Sequence, residues 1–183
     1  MPPEKSARIL LVDDETNVLR ALTRILKRYE LETFTSGEEA LLIAREQPFD
    51  LVISDFRMPG MDGVQFLSRF MQFQPETIRI ILTGYADLDS AQSAINEAEV
   101  FRFINKPWSH TDIVNAVQQG LEHKRILEEN KRLADLVRDQ QKLLAKKDAL
   151  LQALEAEEPG ITQVNWDENG AIVLDEDDLK DFE

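Results

Sequence analysis

No cysteine occurs anywhere in the 183 residues, which excludes disulfides, thiolate metal sites and cysteine nucleophiles together. Histidine is almost as scarce: there are only two, His110 and His123. Both fall in helix-like surroundings away from any motif and read as ordinary surface residues. No apolar run approaches the roughly 18 residues of a membrane span, and the amino terminus lacks the apolar core of a secretion signal. A soluble, cytoplasmic protein with no membrane partner is expected. Positive charge is the remaining shortage, with 21 Lys and Arg against 35 Asp and Glu and a net charge of -14. A nucleic-acid surface needs a clustered basic patch, so no direct nucleic-acid binding is expected. The length suffices for one good core with an appendage to spare.

Against these absences stand four short apolar runs, each ending in a polar group. Leu51-Val52-Ile53 leads into Asp55 and then into Met58-Pro59-Gly60. That pattern reads as a strand buried on both faces, delivering a carboxylate at its carboxyl end, where open α/β sheets bind ligands. Alone, such an Asp could equally cap a turn. Ile9-Leu10-Leu11-Val12 ends in the pair Asp13-Asp14. Adjacent acids raise each other's pKa unless a cation or a basic side chain lies between them. Magnesium suits them best, as a hard ion that takes a few carboxylates, keeps several waters and prefers phosphate oxygens for the rest. Ile78 to Leu82 ends in Thr83, and Phe101 to Ile104 ends in Asn105-Lys106-Pro107. One edge of one sheet would thus receive acids, a hydroxyl and an ammonium group.

Taken in this order, Asp13-Asp14, the run Asp55-x-x-Met58-Pro59-x-Met61-Asp62-Gly63, Thr83 and Lys106-Pro107 resemble the response-regulator receiver domain of two-component signalling. The resemblance covers about residues 7 to 122. It implies that Asp55 is the phosphoacceptor, that Asp13 and Asp14 are the acidic pair holding Mg2+, and that Lys106 pairs with the phosphoryl group. It further implies that Thr83 is the switch hydroxyl, Phe103 the switch aromatic, and the backbone carbonyl of Arg57 a further metal ligand. Asp14 would contact the ion directly and Asp13 mainly through water. Arg57 and Tyr85 occupy the positions that tune water's access to Asp55, and a bulky pair there predicts a long-lived acyl phosphate. X–Pro bonds are mostly trans, but the resemblance implies cis for Lys106-Pro107. The phosphoryl donor would be a sensor histidine kinase, a phosphotransfer protein or a small acyl phosphate. The implied chemistry is Mg2+-dependent self-phosphorylation and slow dephosphorylation of Asp55, with no separate catalytic domain.

The connecting segments carry helical periodicity. Val18, Leu19, Leu22, Ile25 and Leu26 recur at i, i+3, i+4 spacing. A short second strand is expected around Glu32 to Thr35, followed by a capping box from Ser36 to Glu39 and a helix through Ala40, Leu41 and Ala44. Asp62-Gly63 opens a helix of Val64, Phe66, Leu67 and Phe70 that stops before Pro75; Asp87 caps another, of Ala91, Ala94 and Ile95. Alternation of this kind means right-handed crossovers and a parallel sheet. The expected fold is α/β, a flavodoxin-like five-stranded parallel sheet in the order 2-1-3-4-5 with five helices.

Ser109 to Asp112 caps a last helix with Ile113, Val114, Val117 and Leu121 on its core face, and no proline then appears until Pro159. Gly120 is an isolated weak point, costing about 1 kcal/mol against Ala. A seven-residue spine of Ile126, Leu133, Gln140, Lys147 and Leu154 is flanked by Leu136, Val137, Leu143, Leu144, Leu150 and Leu151. That seam predicts a coiled coil and a parallel homodimer through residues 126–154, in one of two nearly equivalent registers. A single amphipathic helix folded back on the domain is the alternative. The expected organisation is a receiver domain over 1–122, a coiled-coil helix over 123–156 and an acidic tail over 157–183. Within the tail, Asn169-Gly170 signals a hairpin, against the alternative of a disordered acidic end.

Two functional classes follow. In one, phosphorylation of Asp55 passes through a dimeric coiled coil to a partner protein. In the other, the chain is the input half of a longer transcription factor or cyclic-nucleotide signalling enzyme.

Overall fold

The computed structural model describes residues 6–84 and 98–157. Five strands, β1 (Arg8–Val12), β2 (Glu30–Phe34), β3 (Leu51–Asp55), β4 (Ile78–Thr83) and β5 (Arg102–Asn105), form one parallel sheet in the order β2-β1-β3-β4-β5. The described helices are α1 (Thr16–Ile25), α2 (Gly37–Glu46), α3 (Gly63–Phe73) and α4 (His110–Glu157). The flavodoxin-like order expected from the alternating pattern is the one observed. The helix expected after Asp87 and the tail hairpin around Asn169-Gly170 lie outside the described residues, as does Tyr85.

The sheet is a divider between two apolar layers, and strand alternation assigns each residue to one of them. Ile9, Leu11, Leu51, Ile53, Ile80 and Leu82 point to the side covered by α1 and the start of α4, where Leu19, Leu22, Ile113, Ala116 and Val117 meet them. Leu10, Val12, Val52 and Ile81 point the other way, onto Ala40, Leu41, Phe66, Leu67 and Phe70 of α2 and α3. The central strands are apolar on both faces because both faces are covered.

At the edge this logic weakens. β2 runs over Glu30–Phe34, shifted from the stretch Glu32 to Thr35. It pairs only with β1, so half-buried residues replace the continuous apolar signal, and its glutamates, Glu30 and Glu32, sit beside Arg8 of β1. Arg8 at the head of β1 lies 3.7 Å from Glu30 and 2.5 Å from Glu32. Charged side chains on such a strand also blunt edge-to-edge association.

Two core positions carry more than a hydrophobic pattern conveys. Gly120 does more than weaken a helix: a Cβ there would sit 2.9 Å from Ile78 Cγ2 and 3.1 Å from Leu51 Cδ1. The missing side chain lets α4 cross close over the starts of β3 and β4. Arg79 is buried inside β4, where its guanidinium donates to the carbonyls of Ala98 (2.7 Å), Pro75 (3.0 Å), Thr77 (2.8 Å) and Glu99 (3.3 Å). Burial pushes its pKa down, opposed by the Glu99 carboxylate. A charge inside a sheet persists only when its donors are satisfied in this way. Arg79 thereby ties the segment entering β5 to the start of β4.

The chain divides into two compact units, Met1–Glu129 and Asn130–Glu183, and α4 runs through the boundary. The expected domain limit at 122/123 falls inside this helix. In the first unit, Ser109 and Asp112 exchange cap hydrogen bonds: the Asp112 amide donates to Ser109 Oγ at 3.1 Å, and the Ser109 amide donates to Asp112 Oδ2 at 2.8 Å. In the second unit, apolar side chains stand in the open, from Leu154 at 39% exposure to Leu143 at 69%. Among the described residues, no helix is long and apolar enough to cross a membrane.

Candidate functional site

Parallel strands end together, and here their ends gather the chemistry. Asp55 closes β3 and Thr83 closes β4, while Asp13 follows β1 directly and Lys106 follows β5. Backbone bonds knit this edge: the Asp13 amide donates to Phe34 O (3.2 Å), that of Phe56 to Leu82 O (2.8 Å), and that of Lys106 to Thr83 O (2.7 Å). The Lys106-Pro107 bond is cis.

Lys106 is the centre of the arrangement. Its Nζ lies 2.6 Å from Asp55 Oδ1 and 2.9 Å from Asp13 Oδ2, with its side chain 23% exposed and both carboxylates buried. The second oxygen of each acid accepts a backbone amide, Asp13 Oδ1 from Glu15 (2.8 Å) and Asp55 Oδ2 from Arg57 (3.1 Å). Burial works against the Lys106 charge, but the hydrogen bonds to Asp55 and Asp13 outweigh it and hold its pKa above the usual lysine value. Burial raises the Asp13 carboxyl, and the bonds from Lys106 and Glu15 pull it back only in part.

The loop after Asp55 shows why Met-Pro-Gly-Met-Asp-Gly is needed. Met58 and Met61 bury their side chains in the α2/α3 layer and anchor the loop at two points. Gly60 between them has φ of 82°, a left-handed conformation that glycine adopts at no steric cost. Asp62 Oδ1 accepts the Gln65 amide at 2.8 Å and caps α3. Gly63 passes so close to the strand end that a Cβ would fall 2.0 Å from the Asp55 carbonyl oxygen.

The remaining candidates are placed unequally. Thr83 is buried, its hydroxyl donating to Gly84 O at 3.2 Å. Phe103 is half-buried against the α2/α3 layer. Asp14 is exposed beside the buried Asp13, and Arg57 is exposed at the loop entrance. Among the described residues, no three acidic or histidine side chains are close enough to form a ready-made cation cage. The donor set nevertheless fits Mg2+: every nearby ligand is a hard oxygen, and one ammonium cannot balance Asp13, Asp14 and Asp55. Magnesium characteristically takes one or two carboxylates and completes its octahedron with water and phosphate. One neighbour carried no signal in the motif. Trp108 packs against the α1/α4 layer with its ring centroid 5.9 Å from Lys106 Nζ. An aromatic two residues beyond the motif lysine was the only hint in the sequence.

A family model described as the response regulator receiver domain matches residues 9–118. The chain is 37% identical over 120 residues to the hydrogenase transcriptional regulatory protein HoxA of Cupriavidus necator, covering 65% of this chain and 25% of that protein. It is 34% identical over 117 residues to the DNA-binding transcriptional regulator NtrC of Salmonella typhimurium, covering 63% of this chain and 25% of that protein. It thus spans about a quarter of the length of these curated relatives. A crystal structure titled adenylate cyclase from Rhodopirellula baltica matches with a TM-score of 0.67 and 37% identity, over 71% of this chain and 98% of that one. With five parallel strands in the order β2-β1-β3-β4-β5, acids and a lysine at their carboxyl ends, and a family match across residues 9–118, the chain belongs to the response regulator receiver domain family.

Proposed function

We propose that this receiver accepts a phosphoryl group on Asp55 from a phosphohistidine of a sensor histidine kinase or phosphotransfer protein. The observation that carries this reading is the Lys106 ammonium held between Asp55 and Asp13, 2.6 and 2.9 Å away, at the carboxyl edge of the sheet. In the transfer, an Asp55 carboxylate oxygen forms a bond to phosphorus while the phosphorus–nitrogen bond breaks, its electron pair returning to the donor imidazole. Hydrolysis by water later releases inorganic phosphate and regenerates Asp55. A carboxylate is a weak nucleophile, so the rate must come from alignment and from charge neutralisation in a loose transition state. Lys106 covers one developing negative oxygen, and the Arg57 amide fixes the rotamer of Asp55. Bound by Asp14, Asp55, the Arg57 carbonyl and, through water, Asp13, Mg2+ would supply the further positive charge that the phosphoryl oxygens need. Mass spectrometry after incubation with acetyl phosphate and Mg2+ tests the reading, with all label expected on Asp55.

Asp14 is exposed at this edge, and Asp13 is already committed to Lys106. Asp14→Ala is therefore expected to weaken Mg2+ binding by more than tenfold, measured by titration calorimetry. Binding as tight as in the unaltered protein would move the ion to other ligands.

Phosphorylation is a local charge event that can bias a two-state element. The new oxygens offer the Thr83 hydroxyl an acceptor better than Gly84 O. Its departure from Gly84 O would leave room for Phe103 to rotate. A bulky residue at position 57, as Arg57 is, should lengthen the life of the acyl phosphate. The signal leaves along α4, whose apolar stripe pairs with that of a second copy in a parallel homodimer through residues 126–154. The opposite face carries ion pairs, Arg138–Asp135 at 2.8 Å and Lys142–Asp139 at 3.4 Å, whereas the stripe's side chains are 39–69% exposed among the described residues. Single cysteines at Leu143 and Leu144 should crosslink between protomers with yields that exchange on phosphorylation. Equal yields in both states would make the coil a passive dimeriser.

A second reading rests on what the relatives are. HoxA and NtrC are transcriptional regulators about four times the matched length, and the solved relative is described as an adenylate cyclase. The receiver and its helix would then be the input half of such a protein. Reading the gene beyond the codon for Glu183 separates the two.

A further inference from the structure

We propose that Trp108 is a positioning residue for Lys106, a third holding point that keeps the ammonium at the site while it changes carboxylate partners. This rests on the reading of Asp55 as phosphoacceptor. Lys106 makes two charge-assisted hydrogen bonds, to Asp55 Oδ1 at 2.6 Å and Asp13 Oδ2 at 2.9 Å. Phosphorylation of Asp55 removes or displaces the first of these oxygens, and the ammonium must re-aim toward a phosphoryl oxygen. A lysine stem has four rotatable bonds and a strongly hydrated head, so a freed ammonium tends toward water. With the Lys106 side chain 23% exposed, water is within reach.

The Trp108 ring lies on the other side of that choice. Its centroid is 5.9 Å from Lys106 Nζ, within the range in which an indole face attracts a cation. The attraction comes from the ring quadrupole and is far less directional than a hydrogen bond, so it persists while the ammonium swings by an ångström or so. The ring cannot drift with it, because Trp108 is half-buried against the α1/α4 apolar layer. Trp108 also sits between β5 and α4, two residues before the start of the helix. The same side chain that holds Lys106 therefore abuts the root of the output helix.

The 183-residue chain carrying Trp166→Phe makes Trp108 the sole tryptophan. Without any phosphoryl donor, Lys106→Met should change the Trp108 emission spectrum, since it removes a cation from the indole face. Mg2+ with beryllofluoride should alter emission in the Lys106 protein and leave the Lys106→Met protein unmoved. Trp108→Leu keeps the apolar packing and loses the indole face; it should slow Asp55 labelling by acetyl phosphate about fivefold, and Trp108→Phe should restore most of the rate. Combined with Lys106→Met, Trp108→Leu should cost nothing more, the mark of two residues acting as one. Unchanged spectra on removing Lys106, or a Trp108→Leu loss of equal size in both Lys106 backgrounds, overturns the positioning role. Label that survives Asp55→Asn overturns the phosphoacceptor reading itself. The donor-free spectra test the contact independently of that outcome.

Discussion

Asp55→Asn is expected to abolish labelling by acetyl phosphate, a fall of more than about a hundredfold, because an amide oxygen cannot form the acyl phosphate. The fold should survive the change. Asn is nearly isosteric with Asp, and Lys106 keeps Asp13 at 2.9 Å as its partner. The unaltered site holds two buried carboxylates on one ammonium, so removing one negative charge relieves repulsion and leaves a matched pair. The urea midpoint of Asp55→Asn should therefore equal or exceed that of the unaltered protein. Lys106→Met makes the opposite disturbance, leaving Asp13 and Asp55 buried without their cation. It should slow labelling and lower the midpoint while keeping Asp55 as the labelled residue. Label retained at full level in Asp55→Asn would assign the nucleophile elsewhere. A strongly destabilised Asp55→Asn would contradict the charge balance drawn from the geometry.

Gly63→Ala is expected to be the most damaging single-methyl change in the receiver, at about 3 kcal/mol. The added Cβ would lie 2.0 Å from the Asp55 carbonyl oxygen, 3.0 Å from its carbon and 3.1 Å from Phe56 Cα. All three are backbone atoms, so no rotamer change gives relief. To make room, the amino end of α3 must lift from the end of β3, which breaks the 2.9 Å bond from the Gly63 amide to Phe56 O. Phe66, Leu67 and Phe70 must move with it, although each is fully buried in the α2/α3 layer. The urea midpoint should fall by roughly 1–2 M with little change in slope. Labelling of Asp55 should also slow under conditions where the variant remains folded, since the strand end that aims the carboxylate is the part displaced. A midpoint within a few tenths molar of the unaltered protein would mean that helix and strand end are not in contact as described.

How much of this was legible in the sequence follows from which forces act locally. Four apolar runs, each ending in Asp, Thr or Lys, determine both the buried parallel sheet and the convergence of those groups, because parallel strands must end at one edge. The identities of Asp13, Asp55, Thr83 and Lys106 as a cluster required no coordinates beyond that rule. The edge strand was less legible, since a strand paired on one side has a weaker apolar signature, and its register is visible only in the backbone pairing with β1 that brings Arg8 opposite Glu30. Composition and spacing also could not say which of two adjacent acids is buried; the lie of the chain after β1 puts Asp13 against Lys106 and leaves Asp14 exposed. Only the tertiary structure explained Gly120 as a helix-to-sheet contact, Arg79 as a satisfied buried cation, and Trp108 as a neighbour of the lysine. Each depends on atoms brought together from distant points of the chain, and no local pattern of residues encodes a distance of that kind.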